Sequence, residues 1–322
     1  MKNRPIIIIA GDPLSVFIEI FLKSINQRKF KNHIIIICCK KNLEYQIKKL
    51  DYKNKINPID LKQLKSIKLK KNEINLINLN LKTTNSKKLQ AKFNSEYIKK
   101  SFDIAFKLIR DGYSNKIVNG PINKKVFLKK KYLGITEYIA SNFNTKKFGM
   151  LIYNENLSVS PLTTHLPIKL VSQNINKSKL QDNILIIDNF FRKYLKKKPK
   201  IGVTGLNPHC ESILKFNEDE KIISKSIIFL QSRNIDVSGP YPADTIFLRN
   251  NRKNFDVILG MYHDQVLGPI KTLFEYDAIN ITMGLPFMRV TPDHGPNYSM
   301  YLKNKSSPLS LIKALEFLDK QW

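Results

Sequence analysis

Two runs of isoleucine, Ile6–Ile9 and Ile34–Ile37, contain no polar residue. Successive side chains of a strand face opposite sides of a sheet, so an unbroken apolar run must be covered on both faces. Between the two runs, Val16–Arg28 spaces its apolar residues as a helix does. A buried strand, a helix and a second buried strand make the unit from which parallel sheets are built.

The same alternation continues along the chain. Strands are predicted at Pro5–Ala10, His33–Cys39, Lys116–Val118, Phe148–Tyr153, Leu157–Pro161, Lys200–Thr204, Phe255–Leu259 and Ala278–Thr282. Helices are predicted at Val16–Arg28, Ser95–Arg110, Ser178–Leu195, Glu218–Arg233 and Leu309–Lys320. The fold class is therefore α/β, with a largely parallel sheet. The 322 residues suffice for two sub-domains around a cleft. One is expected to take about 1–125 plus 280–322, the other about 126–279. Residues 50–85 are rich in Lys, Asn and Leu, carry no chemical motif, and read as a surface region with one or two strands.

Composition removes several function classes. The net charge is +29, yet the lysines are dispersed among Asn and Ile, with no basic stripe interleaved with aromatics. This favours solvated lysine faces over a nucleic-acid partner, while a positive surface still attracts anionic ligands. The apolar run Pro5–Ala10 is too short for a membrane span or a secretory leader. Cys38, Cys39 and Cys210 give no disulfide framework, so a reducing cytoplasm is the expected setting.

Chemistry concentrates in polar islands that follow the strands, where open α/β sheets place their ligands. Gly11-Asp12-Pro13 reads as a turn. Asn119-Gly120-Pro121-Ile122-Asn123-Lys124 is either an anion-binding helix start or a plain cap by Asn123 beside an exposed lysine. Three islands carry proline-flanked or strand-end histidines: Thr163-Thr164-His165-Leu166-Pro167, Gly205-Leu206-Asn207-Pro208-His209-Cys210-Glu211 and Met261-Tyr262-His263-Asp264-Gln265. The chain has only five histidines, so three in such loops point to a tri-histidine metal site with open positions for substrate. Asp244, in Gly239-Pro240-Tyr241-Pro242-Ala243-Asp244-Thr245, either orients such a group or forms an Asx turn. Arg289, after Gly284-Leu285-Pro286-Phe287-Met288, is a fork for phosphate or carboxylate.

Taken together, from Gly11 to about Gly295, these islands resemble the family of 4-hydroxythreonine-4-phosphate dehydrogenases of vitamin B6 (pyridoxine) biosynthesis. The resemblance implies a fold similar to isocitrate and isopropylmalate dehydrogenases. It implies NAD-dependent oxidation and decarboxylation of 4-phosphooxy-L-threonine to 3-amino-2-oxopropyl phosphate. It also implies a homodimer with interface active sites and an anionic phosphorylated small-molecule substrate. His165, His209 and His263 would hold a divalent metal (Zn, Co, Mn or Mg). Thr136, Lys271, Asn280 and Arg289 would bind substrate. Lys271, Asp244 and Asp264 would serve catalysis, Lys271 in proton transfer. Cofactor contacts would fall near Asp293 and Gly295.

The chain departs from the family pattern in three places. Only the ends of the glycine-rich opening survive in Gly11-Asp12-Pro13-Leu14-Ser15-Val16-Phe17-Ile18-Glu19. Ile135 replaces a histidine in Gly134-Ile135-Thr136-Glu137, and Pro296-Asn297 replaces Thr-Ala. These changes keep two alternatives in view: a dehydrogenase of a related phosphothreonate or phosphoerythronate, and a catalytically inactive paralogue.

Overall fold

The computed structural model describes residues 4–64, 67–128, 131–132, 134–212, 217–275, 277–292 and 295–320. The chain divides into two compact units, 1–138 with 286–322, and 139–285. Each is an α/β layer structure with its own six-stranded run of sheet.

In the first unit the isoleucine runs become β1 (Ile6–Ile9) and β2 (Ile34–Cys38), paired in parallel with Ile6 opposite Ile34. Ile6–Ile9 and Ile35–Ile37 are fully buried, as unalternating runs require. The segment 50–85 supplies β3 (Ile56–Pro58) and β4 (Ile74–Asn78). With β5 (Lys116–Asn119) and the returning β12 (Met288–Pro292) the order is β3-β4-β2-β1-β5-β12. Every pairing here is parallel. The helix Lys87–Arg110 starts eight residues before the apolar pattern shows it, because Ser86 caps it by accepting from Leu89 N at 3.4 Å.

The second unit contains β6 (Gly149–Tyr153), β7 (Ser158–Thr163), β8 (Ile201–Thr204), β9 (Val237–Tyr241), β10 (Val257–Tyr262) and β11 (Ile279–Met283). Their order is β11-β6-β7-β10-β8-β9. β6 runs antiparallel to both neighbours, in an otherwise parallel arrangement. The short link from Tyr153 to Ser158 explains this, since a parallel return needs a crossover of a dozen or more residues. Asn154 tightens the link by accepting from Asn156 N at 2.9 Å. Ile152, Val159, Ile258, Val266 and Ile270 form the core beneath β7 and β10.

Among the described residues no helix is long and apolar enough to cross a membrane. The three cysteines are free.

Candidate active site

Sheet register in the second unit dictates where the histidines emerge. Tyr262 at the end of β10 pairs with Thr163 at the end of β7, so the residues just beyond them leave side by side. His165 and His263 accordingly lie with ring centroids 6.2 Å apart. β8 flanks β10 on its other side, Val203 opposite Leu259, and the loop that follows it presents an exposed His209. His209 and Cys210 both adopt left-handed backbone, with φ of 55° and 62°.

Two residues to which the sequence assigns no role hold these loops in place. Gln265 is buried; its Oε1 accepts from Met261 N at 2.7 Å and from Thr204 Oγ1 at 2.8 Å. Its Nε2 donates to Gly205 O at 2.8 Å, tying the end of β10 to the end of β8. Thr163 Oγ1 donates to Met261 O at 2.7 Å, adding β7 to the same knot. Asp219, only 1% exposed, accepts from Leu206 N at 2.6 Å and from Asn207 N at 3.1 Å. Glycine is required at 205, because a Cβ there would stand 2.7 Å from both Asp219 Oδ1 and Cys210 Sγ. In the sequence Asp219 stands only as the middle of the acidic run Glu218-Asp219-Glu220, and Gln265 only as the last residue of a histidine island.

His263 is half-buried, and its Nδ1 lies 2.6 Å from Asp264 Oδ1. A carboxylate on Nδ1 fixes the proton there and leaves Nε2 free as a donor to a metal. Asp244 is exposed and acts through space on the Cys210 thiol, whose pKa is raised by burial and by Asp219 first. Among the described residues, no three His, Cys, Asp or Glu side chains are gathered tightly enough to chelate an ion as they stand. The donor chemistry still suits one: two adjacent imidazoles, one with a carboxylate behind it, and a third on a neighbouring strand end.

Lys271 sits on the helix His263–Phe274, two turns beyond His263, and burial lowers its ammonium pKa. Asn280 on β11 donates from Nδ2 to Met150 Sδ at 3.4 Å, while its Oδ1 is buried without a partner. An orphaned acceptor inside a protein calls for a ligand or water as donor.

The first unit holds a different cluster. Arg289 lies on β12, opposite Ile117 of β5, and is 4% exposed. Its Nε donates to Asn119 Oδ1 at 2.9 Å and its Nη1 to Thr136 Oγ1 at 3.1 Å. Burial depresses the guanidinium pKa to about 10, against an opposing pull from Glu137. Thr136 and Glu137 are fixed by the first turn of the helix Ile135–Asn142. Tyr138 anchors that turn by packing edge-on against Phe102 and Phe127. Ile135 is buried beside Thr136, an apolar side chain that donates to nothing.

Asp12 organises its own loop: Oδ1 accepts from Leu14 N at 3.1 Å and Oδ2 from Tyr298 Oη at 2.9 Å. Gly11, at φ 79°, lies where a Cβ would stand 2.4 Å from Pro121 O. Asn123 caps its short helix by accepting from Val126 N at 3.3 Å, beside an exposed Lys124. Asp12, Asn123 and Tyr298, with Gln90 and Asn94, line a cavity of about 310 Å³. Asp293 lies outside the described residues; Gly295 is exposed.

The profile of the family described as "Pyridoxal phosphate biosynthetic protein PdxA" matches residues 30–318. The chain belongs to the PdxA family. It is 34% identical to a 4-hydroxythreonine-4-phosphate dehydrogenase of Sulfurihydrogenibium sp., over 95% of this chain and 94% of the relative. It is 32% identical to a putative D-threonate 4-phosphate dehydrogenase of Oceanobacillus iheyensis, over 98% and 97%. Among solved structures it resembles the 4-hydroxythreonine-4-phosphate dehydrogenase of Klebsiella pneumoniae, with TM-score 0.83, 26% identity and 98% of each chain covered. A fold likeness extends to the isocitrate dehydrogenase of Methylococcus capsulatus, at TM-score 0.50 and 12% identity, over 97% of this chain and 83% of that one. The expected α/β dehydrogenase fold is thus the fold found.

Proposed function

We propose that this PdxA-family chain is an NAD-dependent dehydrogenase acting on 4-phosphooxy-L-threonine in pyridoxal phosphate biosynthesis. The C3 hydroxyl is oxidised to a ketone as hydride passes to NAD, and the resulting β-keto acid loses its carboxylate as CO2. The products are 3-amino-2-oxopropyl phosphate, CO2 and NADH. Family membership supports the reaction class. The observation that carries the substrate is Arg289, a buried guanidinium at the end of the first unit's sheet that donates to Asn119 and to the Thr136 hydroxyl. Such a group favours an anion with several acceptor oxygens, which a phosphate monoester supplies.

In this reading Arg289 and the Thr136 hydroxyl hold the phosphoryl group. Asn280 Oδ1 accepts from a substrate donor, and its present lack of a partner supports that role. Lys271 Nζ takes the C3 hydroxyl proton, and the burial that eases its deprotonation supports it as the base. Asp264 orients His263, and Asp244 stands by the His209 loop. A divalent ion held by His165, His209 and His263 would supply Lewis-acid stabilisation of oxygen anions. The amides and carboxylate of the 310 Å³ cavity suit the hydroxyls of NAD, near the segment from Gly295 onward. The same reading takes the chain as a homodimer. Three free cysteines support a cytoplasmic setting.

The second reading, a D-threonate 4-phosphate dehydrogenase, is favoured by the Oceanobacillus relative and by the loss of a histidine at Ile135. NADH absorbance with metal-reconstituted protein decides between them. Preference for 4-phosphooxy-L-threonine over the phosphothreonate and phosphoerythronate, lost in His209→Ala together with bound metal, is the expected result. Preference for an analogue would establish the second reading. Silence on all three, with metal retained, would mark an inactive relative.

A further inference from the structure

The three histidines do not leave their strands alike. His263 directly follows β10, and His165 stands two residues beyond β7, so paired strand ends align them. His209 stands five residues beyond the end of β8 at Thr204 and lacks that support. Its backbone is also strained, with φ at 55° and its neighbour Cys210 at 62°, a region that crowds any side chain. Cys210 N closes the turn by donating to Asn207 O at 3.0 Å. A strained turn at the end of a long loop relaxes unless something outside it fixes its start. That fixture is the buried Asp219 carboxylate. Oδ1 accepts from Leu206 N at 2.6 Å, and Oδ2 accepts from Asn207 N at 3.1 Å and Asn207 Nδ2 at 2.8 Å. Asp219 is itself tied down: its N donates to Asn217 Oδ1 at 2.9 Å, and its carbonyl accepts from Ser224 Oγ at 2.8 Å.

We infer that Asp219 is the positioning residue that sets how well His209 binds the metal, acting through Leu206 and Asn207 and not as a ligand itself. This rests on the tri-histidine reading given above. Three N–H donors already occupy the two oxygens of Asp219, and turning the carboxylate to an ion would leave those donors unpaired. Bonds to a charged acceptor are also stronger than neutral ones, which suits a group that must hold strain. Pro208 alone separates Asn207 from His209, and its fixed φ makes a stiff link between the clamp and the imidazole.

The experiment titrates cobalt(II) by calorimetry into the wild-type chain, Asp219→Asn and His209→Ala, and records the absorption of the bound ion at saturation. Asp219→Asn sets an NH2 group against N–H donors and breaks the clamp with little change of shape. It should weaken cobalt(II) binding about ten- to a hundredfold, the usual cost of losing a group that orients a ligand. At saturation its absorption bands should match the wild type's, because the same three imidazoles bind. Val159→Ala, in the core beneath β7, is destabilised without touching the loop and should keep wild-type affinity. Unchanged or tighter binding in Asp219→Asn overturns the inference. So does an altered band pattern, which would make Asp219 a ligand, or an equal loss in Val159→Ala, which would make the effect one of general stability. If Asp219→Asn does not fold, Asn207→Ala removes the Nδ2 bonds to Asp219 and Glu218 and should weaken binding a few-fold; no weakening there overturns the inference as well. A wild-type chain indifferent to cobalt(II), or binding that survives His209→Ala, would instead remove the tri-histidine reading, and this inference with it.

Discussion

Replacing Gln265 by leucine isolates the knot that aligns the histidine loops. The side chains are close in volume, so little cavity is created and the loss falls on hydrogen bonds. Gln265 serves Met261 N at 2.7 Å, Thr204 Oγ1 at 2.8 Å and Gly205 O at 2.8 Å, at a residue only 9% exposed. Each buried polar group left without a partner costs about 1–3 kcal/mol. Three such groups, with some relief from local relaxation, should destabilise the chain by about 3–5 kcal/mol. Urea unfolding should show a lower midpoint at an unchanged slope. Hydrogen exchange reads the same effect locally. The Met261 amide should exchange roughly a hundred- to several-thousandfold faster, at about tenfold per 1.4 kcal/mol. Gln265→Glu keeps both acceptor bonds but sets a carboxylate against Gly205 O, so it should fall between wild type and leucine. A loss below about 1 kcal/mol, or an unchanged Met261 amide, would refute the reasoning and assign the loop alignment elsewhere.

Three further outcomes follow from the same structure. In Arg289→Lys a single ammonium cannot reproduce the fork to Asn119 and Thr136, so KM for a phosphorylated substrate should rise roughly 10- to 150-fold at little-changed kcat, matching a loss of about 1.5–3 kcal/mol; steady-state kinetics would show it. Burial lowers the Lys271 pKa, so in the alkaline range below about 10.4 the unfolded chain binds more protons and stability rises with pH. Lys271→Met should flatten that rise in urea midpoints taken between about pH 8 and pH 10.5, while abolishing turnover. Leu302 holds φ at 59°, a left-handed conformation that disfavours a side chain by about 1–2 kcal/mol. Leu302→Gly should stabilise the chain by a net few tenths to about 1 kcal/mol, after the about 0.5–1 kcal/mol that glycine's unfolded-state freedom takes back, and a higher melting temperature would show it.

The interior of the fold was easier to read than its edges. The isoleucine runs announced β1 and β2 because only a doubly covered strand tolerates them. β12 escaped notice because Met288-Arg289-Val290-Thr291-Pro292 mixes polar and apolar residues and looks like a loop that happens to carry an arginine. β9 was hidden by Gly239-Pro240, and residues 50–85 showed only that one or two strands were there, which proved to be β3 and β4. At the candidate site, the strand-end position of the histidines followed from apolar runs that stop just before them. The holding roles of Gln265 and Asp219 were not legible, because in sequence a buried amide or carboxylate looks like a surface one. Only the backbone groups of other strands and loops give those side chains their meaning. The caps behaved likewise: the sequence allows at Asn123-Lys124 both a plain cap and an anion-binding helix start, and the structure adds the bond from Val126 N to Asn123.

The first unit is made from both ends of the chain, and that has a consequence for biogenesis. β5 ends at Asn119, but β12, its neighbour on one side, begins only at Met288. The second unit, 139–285, is complete before β12 is made. At about 5–20 residues per second, the ribosome leaves that flank of β5 open for roughly ten to thirty seconds. During that time a buried parallel strand is a bare edge able to recruit any extended chain nearby. Heterologous synthesis should therefore lose material to aggregation at this stage, and slower elongation should worsen the loss.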